Sequence, residues 1–440
     1  MLCILLLQSI IMEAYAAVLT YAIPGFVVLI ILESLAARYK GIQVNRSMDT
    51  ISSLSSGMTN TLKNLMGLSV IIISYGLMES HIGFFDIKST PLLYIIAFIG
   101  LDFAGYWSHR FNHSINIFWN RHIVHHSSEE FNLSCALRQS ISAFVGIYFF
   151  LLIPLAFLGV PPIVIAITSP IHLFAQFWYH TRLVNKMGFL EHIIVTPSHH
   201  RVHHAINDIY LDKNFSEIFI IWDKLFGTFQ EELPDVPPVY GTKRPAGTWN
   251  PLLINFMHAW ALAKDAWHTS SWWDKLRVWF MPTGWRPDDV KNKLPLNVIE
   301  DVFNRPKYET TATPTLQYWS WFQLVIHNVL IFYMLVHIAD FAYYDILLYA
   351  SFLMVSIFGY TTLMDQHKLA LPTETLKLIL GLGLIYKMGG WFMMDDYIGG
   401  ATVLMIIYFV ASIVFTYYVL YIEKPEQRFI PENYPYKLLD

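Results

Sequence analysis

The chain has 440 residues, is 55% hydrophobic and 16% aromatic, and carries only 14% charged residues, against the roughly 25% usual for soluble domains. Its net charge of −4 offers no basic surface for nucleic acid, and its two cysteines, Cys3 and Cys135, exclude a disulfide scaffold and a thiolate zinc site. These limits leave an integral membrane protein, with several segments near the ~20 apolar residues that cross a bilayer.

The residues up to 11 are apolar with no basic stretch before them, which argues against a signal peptide, and Met12 offers a second possible start. A first span is expected at about 15–37, where Pro24 and Gly25 are tolerable in a membrane helix. A polar stretch with Arg38, Lys40, Arg46 and Lys63 follows. Segments 65–78 and 92–107 predict a helical hairpin, and 141–158 and 163–179 a second, turned at Gly159-Val160-Pro161-Pro162. Polar stretches lie at 109–140 and 181–315. Within the latter, the Trp-rich segment 258–285 interleaves aromatic and basic residues, which suits a helix at a membrane surface and equally one packed on a cytosolic domain. Apolar segments at 319–339, 346–363, 376–394 and 402–421 close the chain.

With nine spans, the loops at 80–91, 159–162, 340–345 and 395–400 hold only Lys88. Nearly all other Lys and Arg then share the opposite, cytoplasmic side. The expected fold is an all-α integral membrane protein. Helical hairpins are capped by a cytosolic, helical, histidine-rich di-metal domain, and a C-terminal membrane helix domain follows. The expected units are 1–60 (membrane helix and linker), 61–310 (catalytic) and 311–440 (four spans).

Nine of the 18 histidines fall in two short stretches: His109, His113, His122, His125 and His126, then His199, His200, His203 and His204. Spacings of three and four place imidazoles on one helix face. Imidazole-only ligation suits iron, zinc, copper or nickel. A single zinc uses three or four ligands, so nine or more histidines fit two metals better. His180 ends the second hairpin and can join them, and His172 lies two helical turns before it on the same face. His81, His258, His268, His327, His337 and His367 stand alone and read as ordinary surface or core residues.

His-x-x-x-His (109–113), His-x-x-His-His (122–126) and His-x-x-His-His (200–204) resemble, in order and spacing, the histidine boxes of the fatty acid hydroxylase / sterol desaturase superfamily. Stretches 125–134, 137–140, 176–181, 196–204, 212–215 and 221–229 narrow the resemblance to its alkylglycerol-cleaving branch, strongly over about 60–230 and only in general character beyond. The resemblance implies a membrane-bound di-iron monooxygenase that hydroxylates a lipid C–H bond with O2. For the nearest branch that means the ether-linked carbon of an alkylglycerol, with tetrahydrobiopterin as reductant.

The iron ligands it implies are His109, His113, His122, His125, His126, His180, His200, His203 and His204, with His199 and His172 as further candidates. Asn214 and Asp223 would orient ligand imidazoles. One position departs: where that branch has glutamate after the second histidine of the first box, this chain has Ser114, which bears on pterin dependence. Glu129, Glu130 and Arg138 are polar candidates that the pattern does not assign. Two alternatives stand beside this reading. One is a sterol, fatty acid, sphingolipid or carotenoid hydroxylase or desaturase fed by a separate electron-donor protein. The other is a metal transporter or sensor, which would place its ligands inside the spans. The expected partner is a lipid in the membrane, with no nucleic acid.

Overall fold

The apolar runs become helices, interrupted where proline, glycine or buried charge intervenes. The computed structural model describes residues 2–67, 71–85, 87–142, 148–296, 298–310 and 312–423. Among them the only β-type pairings are the isolated bridges Ile115–Pro282 and Ala205–Tyr240. The helices, in order, are α1 (Leu2–Tyr39), α2 (Ser47–Leu65), α3 (Ile71–Ile82), α4 (Pro91–Ser114) and α5 (Asn116–His126). Next come α6 (Tyr148–Leu151), α7 (Ile153–Phe157), α8 (Pro162–Phe174), α9 (Pro197–His203), α10 (Ile221–Leu225), α11 (Pro251–His268), α12 (Trp272–Arg277) and α13 (Asp288–Lys293). The last four are α14 (Pro314–Val336), α15 (Tyr343–Met364), α16 (Ala370–Met388) and α17 (Ala401–Tyr417).

Five of these are long and apolar enough to cross a membrane: Ala16–Tyr39, Pro91–Ser114, Pro314–Val336, Tyr343–Met364 and Ala401–Glu423. The chain is a membrane protein. The difference from nine expected spans has local causes. Segment 65–78 includes residues 68–70, and 141–158 includes 143–147, both outside the described residues; what is described of them forms only the short helices α3, α6 and α7. Segment 163–179 gives α8, apolar but shorter than a span and followed by irregular chain to His180. Helix α16 carries Glu374, Lys377 and Lys387 within its 19 residues.

The turn into α8 is specific. Gly159 adopts φ +76, and a Cβ there would lie 1.8 Å from the Phe85 carbonyl oxygen. Glycine is therefore required where the second hairpin closes on the first.

The main apolar core lies in the C-terminal bundle. Leu330, Met334, Tyr349, Phe352, Leu353, Trp391 and Phe409 pack there, joined by Ile51, Met58 and Leu62 of α2. His327 is a core residue of this bundle, bonded to Ser356 Oγ at 2.6 Å. Helix α2 reads as polar linker in the sequence but is a buried strut. Its Asp49, Ser52, Ser53, Ser55, Ser56 and Thr59 are all buried. They meet Tyr360 of the bundle on one side (Ser55, 2.5 Å) and Arg138 beside the histidines on the other (Ser53 Oγ, 2.9 Å). In the Trp-rich segment, Trp260, Trp267, Trp272 and Trp273 are exposed along α11 and α12, and Phe280 just after α12.

Candidate metal centre

Helix α4 starts at Thr90, whose side chain accepts from Leu93 N–H, with Pro91 in the first turn. It delivers His109 and His113 at its last turns. Ile115 is extended and breaks the helix. Asn116 then fixes the corner by donating to Val278 and Trp285 carbonyls and accepting from Gly284 N–H. Helix α5 restarts there and brings His122, His125 and His126 back against α4. Thr196 caps α9, which carries His200 and His203, with His204 at its C-terminal end. His180 arrives from the chain after α8.

The nine histidines converge in two groups, within each of which one ligand nitrogen per residue lies within 4.8 Å of the others: His109, His113, His122, His126 and His203; and His125, His180, His200 and His204. In the first, Nε2–Nε2 separations are 2.8 Å (His109–His122), 3.1 Å (His122–His126), 3.1 Å (His126–His203) and 3.2 Å (His113–His126). In the second they are 2.8 Å (His180–His200), 3.0 Å (His200–His204) and 3.3 Å (His125–His180). Ligands about 2.1 Å from a common ion sit about 3.0 Å apart in an octahedron and about 3.4 Å apart in a tetrahedron. The two groups share a wall, where the His126 and His204 rings stack at 4.3 Å.

The other ring nitrogens set the tautomers. Nδ1 faces a backbone carbonyl in His109 (Phe215, 2.8 Å), His125 (Arg138, 3.3 Å), His180 (Gln176, 3.0 Å) and His203 (Lys213, 3.0 Å). A carbonyl only accepts, so Nδ1 carries the hydrogen and Nε2 keeps its lone pair. His125 and His180 then point two lone pairs at each other across 3.3 Å, a repulsive contact unless a cation lies between. Protonation does not relieve it. Burial pushes His122, His126, His180, His200, His203 and His204 well below their ordinary 6.5, and His125 down to about 4. The donor set therefore fits two metal ions.

The remaining candidates fall elsewhere. His199 lies outside both groups: its Nε2 faces Glu191 at 3.0 Å and its Nδ1 accepts from Thr196 N–H, so it serves the start of α9. His172 is also outside, bonded to Asp102 at 2.9 Å and held among Asp102, Gln176 and Glu217. Among the described residues Asp223 makes no hydrogen bond to an imidazole. It accepts from Phe215 and Ser216 N–H, both at 2.8 Å, and so holds the loop whose Phe215 carbonyl receives His109. Asn214 ties that loop to His199 O and Gln230. Glu129 and Glu130 pair with Arg305 and Lys307, fastening the connector before α14. Ser114 is exposed and bonds back to Arg110 O.

Two acidic residues were missed in the sequence. Asp102 is fully buried and accepts from Ile218 N–H, Phe219 N–H and Trp222 Nε1, besides His172. Glu217 sits beside it. An aspartate inside the apolar run of α4 was itself the available signal.

This arrangement defines a class, a membrane protein that gathers imidazoles around metals beside apolar helices, and comparison with known proteins makes the class specific. The fatty acid hydroxylase family is matched over residues 94–228, the stretch that holds all nine grouped histidines. The human protein alkylglycerol monooxygenase is 34% identical over 372 residues, covering 84% of this chain and 82% of its own length. The zebrafish (Danio rerio) protein of that name is likewise 34% identical, with the same coverage. Ornithine lipid hydroxylase OlsE of Rhizobium tropici is 28% identical over 31% of this chain and 41% of its own. No solved structure matches. The chain belongs to the alkylglycerol monooxygenase family, within the fatty acid hydroxylases. It is a metal-dependent lipid monooxygenase that uses O2.

Proposed function

We propose that this protein is a di-iron monooxygenase that cleaves alkylglycerol-type ether lipids, with catalysis housed in residues 61–310 between an N-terminal segment and a C-terminal membrane domain. The observation that carries the metal reading is the facing lone pairs of His125 and His180. The five histidines of one group and four of the other would hold one iron each, and the pair would supply O2 activation for insertion into a C–H bond. Imidazole is compatible with several transition metals, and two adjacent redox-active ions suit C–H oxidation better than zinc does.

The chain's own residues do the rest. Backbone carbonyls of Phe215, Arg138, Gln176 and Lys213 fix the ligand rings. Phe131 and Tyr179 cover the second group, with Tyr179 over His200 at 4.4 Å and Phe131 over His204 at 5.2 Å, and exclude water. Hydroxylation next to the ether oxygen places one oxygen atom of O2 in a hemiacetal. The other leaves as water with two electrons from the reductant. The hemiacetal then collapses to a fatty aldehyde and glycerol. A multi-pass chain with the histidines on the cytoplasmic side rests on the Lys and Arg distribution read with nine spans, and tetrahydrobiopterin as reductant rests on the resemblance of the histidine boxes.

The test supplies purified full-length protein, loaded with iron, with an O-alkylglycerol, O2 and either tetrahydrobiopterin or a ferredoxin or cytochrome carrier. Fatty aldehyde formed with the pterin alone is the expected result. Aldehyde formed only with a carrier removes the pterin. Oxidation of a sterol or fatty acid but of no ether lipid removes the proposed substrate.

A further inference from the structure

Helix α11 has two unlike faces. Ile254, His258, Leu262 and Asp265 are buried against the body of the protein, while Phe256, Trp260 and Trp267, at i, i+4 and i+11, are exposed on the opposite side. Helix α12 continues the exposed surface with Trp272, Trp273 and Leu276. Trp267 and Trp272 leave 81% and 79% of their surface uncovered, although tryptophan is on average a well-buried residue. Large apolar side chains exposed in such succession form a patch, and a patch of this kind marks a contact surface.

The hydrogen bonds that fix the segment say what covers it. At its start, Asn250 accepts from Leu252 and Leu253 N–H and donates to Thr362 Oγ1 at 2.9 Å and the Phe358 carbonyl at 3.2 Å, in the last turns of α15. In the middle, Asn120 of α5 accepts from Ala259 N–H at 2.7 Å and donates to Asn255 O at 3.0 Å. At its end, Thr283 N–H donates to Ser114 O at 3.2 Å and Asn116 N–H to Met281 O at 3.0 Å, where α4 stops. The segment therefore runs from the end of one candidate span, Tyr343–Met364, to the end of another, Pro91–Ser114. A surface tied to both ends meets the membrane where those helices leave it.

Its chemistry suits the headgroup layer. Tryptophan combines an apolar body with a polar N–H and favours that boundary, and basic side chains beside it reach lipid phosphates. Lys264 Nζ lies 5.7 Å from the Trp260 ring and Lys275 Nζ 5.6 Å from the Trp272 ring. The acids of the segment are spent within the protein, Asp265 on Arg286 and Asp274 on Arg277. The charge left beside the aromatic rings is basic, which complements anionic lipid.

We infer that the surface from Phe256 to Leu276 is inserted in the headgroup layer and anchors the Ser114–Asn116 corner, between the histidine-bearing helices α4 and α5, at a fixed height over the bilayer. This rests on the multi-pass reading above and adds how the metal centre is held next to a lipid substrate.

The experiment measures immersion, not turnover. Full-length protein carrying Cys3→Ser is given one nitroxide label at a time, at Trp267→Cys, Trp272→Cys or Leu276→Cys, in nanodiscs of phosphatidylcholine and phosphatidylglycerol. Cys135 is fully buried, and protein without an added cysteine supplies the background. Collision of each label with O2, which concentrates in lipid, is compared with collision with a neutral nickel chelate, which stays in water. Ile99→Cys on the exposed face of α4 is the lipid reference, and Asp208→Cys, at an exposed polar side chain, the aqueous one. The labels on the surface are expected to give an O2-to-nickel ratio severalfold above that of Asp208→Cys. In Trp267→Ser/Trp272→Ser/Trp273→Ser, the Leu276→Cys label should lose most of that excess, and an unchanged ratio would overturn the anchoring. Aqueous ratios on the surface beside a lipid-like Ile99→Cys overturn the inference and leave the spans, the result a soluble protein partner on this face would give. An aqueous ratio at Ile99→Cys as well removes both this surface and the multi-pass reading. A lipid-like ratio on the surface alone keeps the surface and removes α4 as a span.

Discussion

Replacing His125 or His203 with alanine is expected to abolish lipid oxidation and leave a protein that still purifies folded in detergent. Each belongs to a different group: His125 with His180, His200 and His204, and His203 with His109, His113, His122 and His126. Each removes one nitrogen from a set held by backbone carbonyls, so the surrounding rings cannot swing in to replace it. The loss should exceed the ~100-fold ceiling typical when only an outer hydrogen-bond partner of a ligand is removed. Asp223→Ala should fall within that smaller range, because it acts through the 215–216 backbone. His199→Ala should be milder still in activity, since His199 is committed to Glu191 and Thr196. Rate and bound iron measured together on the four variants give the ranking. Full activity in either ligand variant would sink the assignment.

Arg138→Leu is expected to cause the largest loss of stability, about 3–5 kcal/mol, the cost of leaving a buried charge unpaired. Arg138 and Asp49 are both buried, 2.9 Å apart, and Arg138 also donates to Ser53 Oγ and Ser127 Oγ. The pair joins α2, and through it the C-terminal bundle, to the segment that carries His125 and His126. The Arg138 carbonyl also receives His125 Nδ1, so loosening this segment should loosen the second group. In Asp49→Leu/Arg138→Leu no charge is left stranded, and the combined loss should be smaller than the sum of the two single losses. Thermal unfolding of the three variants in one detergent decides it. Strictly additive losses would mean that the ion pair is not what holds the joint.

Much of the centre was legible because histidine spacing survives folding: i,i+4 pairs on α4, α5 and α9 converge with little help from the rest of the chain. Other features had no such local signature. Helix α2 reads as linker because its serines and threonines are polar, yet they are buried by partners some 80 to 300 positions away, such as Arg138 and Tyr360. Asn214 and Asp223 are expected from the sequence to orient ligand imidazoles, but the hydrogen bonds they make run to backbone and to Thr228 rather than to imidazole, and such partners cannot be seen in side-chain spacing. His172 has helical register with His180, but the chain leaves α8 at Phe174 before reaching His180, so register no longer relates the two. The span count suffered for a similar reason. Hydropathy marks apolar runs, while Pro154 at the start of α7 and Pro161-Pro162 at the start of α8 set where the helices of these runs begin.

The claim on which the account turns is that nine histidines hold two ions. Elemental analysis of the purified full-length protein, set against its concentration from amino-acid analysis, tests it most directly. The prediction is two iron ions per chain in wild type, with His125→Ala and His203→Ala each retaining no more than one. One tightly bound ion per wild-type chain, or none after iron loading, would contradict it.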